Sequence, residues 1–511
     1  MPAAYPDSDS TAAMPDMNHS SPDKQPPRIL IQDLQGFVSD LVTQTREYIY
    51  IRPEDGLFIL RPNRIHHLNR TAVEMLSLLY AQGPLPDVDM LIRDLAAKYQ
   101  VEEGQIRGDM EQLLISVAAL LRDDVCGAPS VHQSPFGSHR RDLPVLSEIA
   151  VTYRCQNKCV FCYAAAPARG KQAAEMTTAE VKIIIDRIFD EAHCPTVSFT
   201  GGEPTLREDL PELIAYAKHK GMRVNVITNG LRCADSEYVA ALQAAGLDSA
   251  QVSLEGPTPA IHDSIVQHPG AFDRTTRAVH MLRAAGIHTH TNTTICQGNK
   301  PHLLELVDFI AEHLHSEYFS MNVIISTGTA LQHRDQDVSY TEVAPLIEQV
   351  QERAKEKGTK LVWYSPIPYC IFNPVVHDLG SKSCACVDGL LSVGPDGELL
   401  PCSSYERGIG NLLKHPFAEL WYTRQARYWR EKRFIPPMCK KCPISHICCG
   451  ACPLYWTSHG GFDELSATAP GASWLQTLAW KVDRRLWGRA FGVGLGQGIR
   501  RRPDGHNDVT G

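Results

Sequence analysis

Residues 147–163 read SEIAVTYRCQNKCVFCY: an alternating run rich in β-branched residues passes directly into three cysteines, Cys155, Cys159 and Cys162. The same kind of run returns in TVSFTGG (196–202), RVNVITNG (223–230), DSAQVSLEG (248–256), HTHTNTTIC (288–296) and YFSMNVII (318–325), each followed by an amphipathic stretch. Six strands alternating with helices predict a parallel β/α architecture, class α/β. Every strand ends in polar or Gly-rich residues, and in β/α barrels the loops beyond the C-terminal strand ends form the active site. The three cysteines therefore fall in a loop at the reactive face.

Three thiolates within eight residues can converge on one metal centre. A [4Fe–4S] cube is saturated by four thiolates, so three leave one iron with the free position that catalytic metals keep for substrate. A zinc site with a distant fourth ligand, such as a histidine, competes for the same spacing. The chain holds 16 cysteines in 511 residues. It opens MPAAYPDSDS, without the basic and apolar regions of a secretory signal, so a cytoplasmic location with reduced thiols is expected, and clustered cysteines read as metal ligands. No apolar run reaches the length of a spanning helix. A net charge of −8, with the basic residues spread along the chain, argues against a nucleic-acid partner.

The other strand ends extend the pattern. The second closes on Phe199-Thr-Gly201-Gly202-Glu203-Pro204, where adjacent glycines let the backbone approach a ligand and Glu203 offers a carboxylate to an ammonium group. The third closes on Thr228-Asn229-Gly230 and the fourth on Ser253-Leu254-Glu255-Gly256. With C-x3-C-x-φ-C after the first strand, GGEP after the second and a polar end to the fourth, the sequence resembles the radical S-adenosylmethionine (SAM) superfamily. The resemblance implies a partial (β/α)6 TIM-type barrel in which Cys155, Cys159 and Cys162 bind three irons of a [4Fe–4S] cluster and SAM chelates the fourth. Gly201, Gly202 and Glu203 would then steady the methionyl amine, Ser253 and Glu255 the ribose, and Phe161 would pack near the adenine, with Asn229 in the same cofactor-binding set. One-electron cleavage of the sulfonium would give a 5′-deoxyadenosyl radical that abstracts a substrate hydrogen, while the barrel orients the cofactor and excludes water.

A second cysteine group follows the strand-helix repeat. Cys439, Cys442, Cys448 and Cys452 form a C-x2-C-x5-C-x3-C array, and upstream Cys386 and Cys402 bracket a hairpin as C-x10-G-x4-C with Gly397 in its turn. Together these resemble the SPASM extension of radical SAM peptide maturases, which implies two auxiliary [4Fe–4S] clusters, one on Cys384, Cys386, Cys402 and Cys452 and the other on Cys439, Cys442 and Cys448. The family supplies a further cysteine after the array, and here no cysteine follows Cys452. An open iron, a non-cysteine ligand such as His459 or Asp463, or Cys449 in an altered arrangement would each complete the set, with zinc as the competing metal. Cys126, Cys194, Cys233, Cys296 and Cys370 lack ligand spacing and read as small buried hydrophobes, with Cys370 the alternative to Cys384 in the first auxiliary set. The His66-His67 pair reads as strand residues.

Toward the N-terminus, residues 1–28 are rich in Pro, Ser and Asp and read as a disordered leader. Residues 29–126 are expected to form a winged-helix-like α+β module: a hairpin around Asp55-Gly56, then helices over 70–81, 88–100 and 103–121. This segment, above all Leu68-Asn69-Arg70-Thr71-Ala72 entering its helix, resembles the PqqD-like peptide recognition element, which implies that a leader peptide adds as a strand to the sheet edge beside the third helix. A DNA-binding winged helix is disfavoured by the lack of a basic recognition helix. Residues 127–143 read as a linker, 144–365 as the barrel, 366–460 as the Cys-rich iron–sulfur domain, and 461–511 as a tail with the amphipathic segment SWLQTLAWKVDRRLWGRAFG.

The expected function is that of a radical SAM oxidoreductase or maturase that modifies a ribosomally made precursor peptide, installing a thioether, carbon–carbon or related crosslink. Its expected partners are the precursor peptide, held by its leader, and a flavodoxin- or ferredoxin-type electron donor. Maturation of a partner enzyme of the sulfatase or quinohemoprotein kind, or radical chemistry on cofactor or haem side chains, is the alternative.

Overall fold

The computed structural model describes residues 31–62, 64–121, 131–134, 142–459 and 461–466, together with 473–476, 478–480 and 482. The expected disordered leader, Cys126, most of the expected linker and much of the amphipathic tail lie outside the described residues.

The N-terminal part opens with helix α1 (Leu34–Thr45), which the sequence reading missed, then strands β1 (Ile49–Arg52), β2 (Leu57–Leu60) and β3 (Arg64–Leu68). They pair antiparallel, with Gly56 at φ 68° in the turn. Helix α2 (Arg70–Leu79) starts where the Asn69 side chain accepts a hydrogen bond from the Ala72 N–H at 2.8 Å, which gives the Leu68–Ala72 signature its physical role as a cap. Helices α3 (Val88–Tyr99) and α4 (Glu103–Leu121) follow, both burying apolar faces. Within the segment expected as a linker, β4 (Val131–Ser134) pairs antiparallel with β3. The His66-His67 pair lies on β3 as expected, with His66 buried against Phe58 at 5.6 Å between ring centroids.

The module expected over 29–126 is divided between two compact units. Among the described residues, 31–43 and 81–121, with most of α1 and all of α3 and α4, form one; β1 to β3, α2 and the described residues from Val131 onward form the other. Inside the second unit Arg52 of β1 is fully buried, held by Asp55 at 2.9 Å and donating to the carbonyls of Pro144 and His193. These bonds tie the hairpin to the barrel wall.

The barrel sheet comprises β5 (Leu146–Thr152), β6 (Thr196–Gly201), β7 (Arg223–Thr228), β8 (Ser249–Ser253), β9 (His288–Ile295) and β10 (Tyr318–Val323), all parallel and in sequential order, as the alternating runs require. A seventh parallel strand, β11 (Lys360–Trp363), extends it beyond β10; its four residues are too short to stand out as a run. On the other side β12 (Leu390–Val393) pairs parallel with β5 and leads into β13 (Glu398–Leu400) and β14 (Gly410–Asn411), so the iron–sulfur region grows directly from the barrel sheet. Alternation along the strands sorts two faces. Val197, Phe199, Val224, Val226 and Val252 are buried in the apolar core, while two polar groups are hydrogen-bonded within themselves: Asn225 donates to Ser198 at 3.2 Å and Ser249 to Asn225 at 2.9 Å, and Asn292 donates to Asn322 and Ser320 to Asn292, each at 2.9 Å.

Candidate functional site: a three-cysteine loop and two auxiliary thiol groups

The loop after β5 carries Cys155, Cys159 and Cys162, all half-buried free thiols. Neighbouring backbone holds it on three sides. Lys158 and Val160 donate to the carbonyls of Val266 and Ile265 at 3.0 and 3.1 Å, Gly202 and Glu203 donate to Thr152 and Arg154 at 2.7 and 2.8 Å, and Thr329 donates to Cys162 at 2.8 Å. Gly202 lies so close that a Cβ there would stand 2.6 Å from the Tyr153 carbonyl oxygen. Gly328, which the sequence reading did not single out, is equally tight against the carbonyls of Cys162 and Tyr163, with φ 57°. Its signal was a Gly five residues beyond β10, one of the two strand ends that carried no quoted motif.

Burial, reinforced by Glu203, pushes the Cys155 thiol up to about 12, and burial with the two neighbouring cysteines raises Cys159 well above its usual range. Without metal these thiols hold their protons, and ligation releases them. Asn229 contacts the centre directly: its side-chain N–H group lies 3.8 Å from the Cys155 sulfur and 3.2 Å from Gln156 Oε1.

Glu203 is fully buried. Its Oε1 accepts from Thr205 N at 3.1 Å, Thr205 Oγ1 at 2.6 Å and Thr228 Oγ1 at 2.7 Å, and its Oε2 accepts from Asn229 N at 2.7 Å. It therefore joins the β6 loop to the β7 loop, a positioning task the motif alone did not reveal. Ser253 is half-buried at the end of β8, whereas Glu255 turns inward, 1% exposed, accepting from Thr294 N at 2.8 Å; burial lifts its carboxyl to about 8. Phe161 is half-buried and packs against the core.

The later cysteines sort into two groups. Cys384 and Cys402 lie close enough to Cys386 to raise its thiol well above its usual range, and both also raise Cys452, so the four stand together. Hydrogen bonding with Cys386, then the charge of Lys432, draws Cys384 down to about 7 against its burial. Lys432 is salt-bridged to Asp388 at 2.9 Å and donates to the Cys384 carbonyl. Cys449 belongs beside this group: fully buried, it accepts from Cys384 N at 3.1 Å and Ser383 Oγ at 3.2 Å.

The second group, Cys439, Cys442 and Cys448, lines a cavity of about 380 Å3 whose wall also includes Cys370. The reading of Cys370 as a buried hydrophobe is corrected here: it is exposed, unlike Cys194, Cys233 and Cys296, which are buried as expected. Its spacing gave no hint because the turn that delivers it lies 69 residues before Cys439 in the chain. His459 stacks on Tyr455 at 3.9 Å, and neither it nor Asp463 lines this cavity. Among the described residues no three His, Cys, Asp or Glu side chains close around a single ion.

Three family models match the chain: the radical SAM superfamily over residues 149–310, an iron–sulfur cluster-binding domain (SPASM) over 384–443, and coenzyme PQQ synthesis protein D over 56–119. An AdoMet-dependent heme synthase of Nitratidesulfovibrio vulgaris is 30% identical over 318 residues, covering 59% of this chain and 85% of that protein. A PqqA peptide cyclase of Xanthomonas axonopodis pv. citri is 28% identical over 333 residues, covering 61% and 82%. Among solved structures, Streptococcus suis SuiB bound to precursor peptide SuiA shares the fold with a TM-score of 0.60 at 15% identity, over 80% of this chain and 94% of that one. Among the described residues no helix is long and apolar enough to cross a membrane. The chain therefore belongs to the radical SAM superfamily as an enzyme of [4Fe–4S] clusters and S-adenosylmethionine, with a SPASM region and a PqqD-type element.

Proposed function

We propose that this enzyme modifies a ribosomally made precursor peptide, forming a thioether, carbon–carbon or related crosslink. The observation that carries the reading is the joining, in one chain, of a PqqD-matching segment to radical SAM and SPASM matches. The likeness to a PqqA peptide cyclase, and to the fold of a protein solved with its precursor peptide, supports it. Bound SAM and the first cluster supply a one-electron cleavage that yields a hydrogen-abstracting radical.

In this reading Cys155, Cys159 and Cys162 hold the first cluster and Asn229 donates to the Cys155 sulfur. The Gly201–Gly202 backbone and Ser253 face SAM, and Phe161 packs near its adenine. Glu203 acts as a positioning residue that keeps the β6 and β7 loops in register, and Glu255 braces β9 through Thr294. A flavodoxin- or ferredoxin-type protein delivers the electrons.

The leader would pair with the edge of the small sheet. In the structure the chain's own β4 takes the β3 edge, so a leader either displaces it or adds beyond it.

A second reading, chemistry on porphyrin side chains, is favoured by the 30% identity to a heme synthase. Co-expression with the short peptide encoded beside the gene, followed by mass spectrometry, separates the two. A peptide that loses two hydrogens only when Cys155, Cys159 and Cys162 are intact supports the proposal; an unmodified peptide together with a consumed iron porphyrin refutes it.

A further inference from the structure

We propose that Cys370 is the fourth thiolate of the second auxiliary cluster, completing the set of Cys439, Cys442 and Cys448 in place of the cysteine that this chain lacks after Cys452. The inference rests on the reading of that group as a cluster site. All four thiols line one cavity of about 380 Å3, and its other walls include Pro368, Met438, Pro443, Ile444 and Leu465.

Cys370 is not delivered by a loose loop. Ile371 and Phe372 both donate to the Pro368 carbonyl, at 2.9 and 3.0 Å, closing a tight turn around Cys370. The residue before it donates from its backbone to the Cys448 sulfur at 3.3 Å, and the Cys448 thiol reaches the Ile367 carbonyl at 4.0 Å. The Tyr369 hydroxyl in turn accepts from Lys382 N at 2.8 Å. The turn is thus fastened to one member of the thiol group before any metal enters. Gly450, at φ 66°, closes the opposite wall: a Cβ there would stand 2.6 Å from Pro436 and 3.1 Å from the Cys439 sulfur.

The alternative ligands are placed elsewhere. Cys449 is hydrogen-bonded beside Cys384, His459 is stacked on Tyr455, and Asp463 heads the short helix Asp463–Ser466 outside the cavity wall. On ligation the Cys370 thiol gives its proton to solvent and its sulfur pair to iron, so no oxidant or reductant is consumed.

The test uses the full chain carrying Cys155→Ala, Cys159→Ala and Cys162→Ala, so that only auxiliary clusters are counted. After anaerobic reconstitution with iron and sulfide, this background binds about eight irons per chain. Adding Cys370→Ala should lower that to about four, or to about seven with a new three-iron signal in the electron paramagnetic resonance spectrum of the oxidised protein. Adding Cys370→Ser should keep the irons but shift the spectrum of the reduced cluster. Adding Cys194→Ala, a buried barrel thiol outside both groups, should change neither, and circular dichroism of all variants checks the fold. Unchanged iron and unchanged spectra for both Cys370 variants, while Cys439→Ala loses about four irons, would overturn the assignment of Cys370 alone. Unchanged iron in Cys439→Ala as well, or one zinc in place of those irons, would overturn the cluster reading beneath it.

Discussion

Replacing Gly202 with alanine tests how tightly the SAM-side loop is stitched to the cysteine loop. The new Cβ would stand 2.6 Å from the Tyr153 carbonyl oxygen and closer still to that of Arg154, both backbone atoms without rotamer freedom. Relief to an ordinary contact of about 3.3 Å needs a separation approaching 1 Å. Glu203 N–H to Arg154 O, now 2.8 Å, would then lengthen past hydrogen-bond range, and Gly202 N–H to Thr152 O, now 2.7 Å, would be strained. Steric cost and lost bonds together amount to about 2–4 kcal/mol. A displacement of about 1 Å between reacting groups can lower a rate about 100-fold. The variant should therefore retain its iron but form 5′-deoxyadenosine about 100-fold more slowly, measured by chromatography under dithionite, with a lowered melting temperature in the metal-free protein. Cleavage within about threefold of the unsubstituted enzyme would refute the stitching argument.

Other consequences are equally direct. Burial lifts Glu255 from its ordinary 4.5 to about 8, so in that window the folded protein holds a proton the unfolded chain has released, and stability falls as pH rises through it. Glu255→Gln should remove that slope in the metal-free protein. Melting curves from pH 5 to 8.5 should show the variant gaining on the parent by a few kcal/mol, whereas a constant gap would contradict the assignment. Asn229→Ala removes an N–H group facing the Cys155 sulfur, and such bonds raise cluster potentials, so spectroelectrochemistry should find the first cluster harder to reduce; an unchanged potential would show that the 3.8 Å approach does not matter. Replacing residues 131–134 with a Gly-Ser stretch should tighten binding of the neighbour-encoded precursor peptide if the leader takes the β3 edge, and calorimetry showing weaker binding would place the leader on β4 instead.

Much of the fold was legible because the barrel strands carry β-branched runs and end in motifs that polar chemistry demands. Cys155, Cys159 and Cys162 were readable as a group because one short loop carries all three within eight residues. Helix α1 was missed although Asp33 caps it, accepting from Gly36 N at 2.8 Å, because it follows a Pro-rich segment, and β11 because four residues carry too little periodicity. The bracing role of Glu203 was hidden because a motif names a residue without its partners. Cys370 was misread for a related reason. Residues that meet through tertiary packing share no spacing, and the turn at Pro368 brings that thiol to the cavity lined by Cys439, Cys442 and Cys448.

The central claim is that the cysteine loop after β5 generates a radical from SAM. Anaerobically reconstituted enzyme, reduced with dithionite and given SAM, should form 5′-deoxyadenosine and methionine, and the Cys155→Ala, Cys159→Ala, Cys162→Ala variant should form none. Equal 5′-deoxyadenosine in both, or none above background in the intact enzyme, would contradict it.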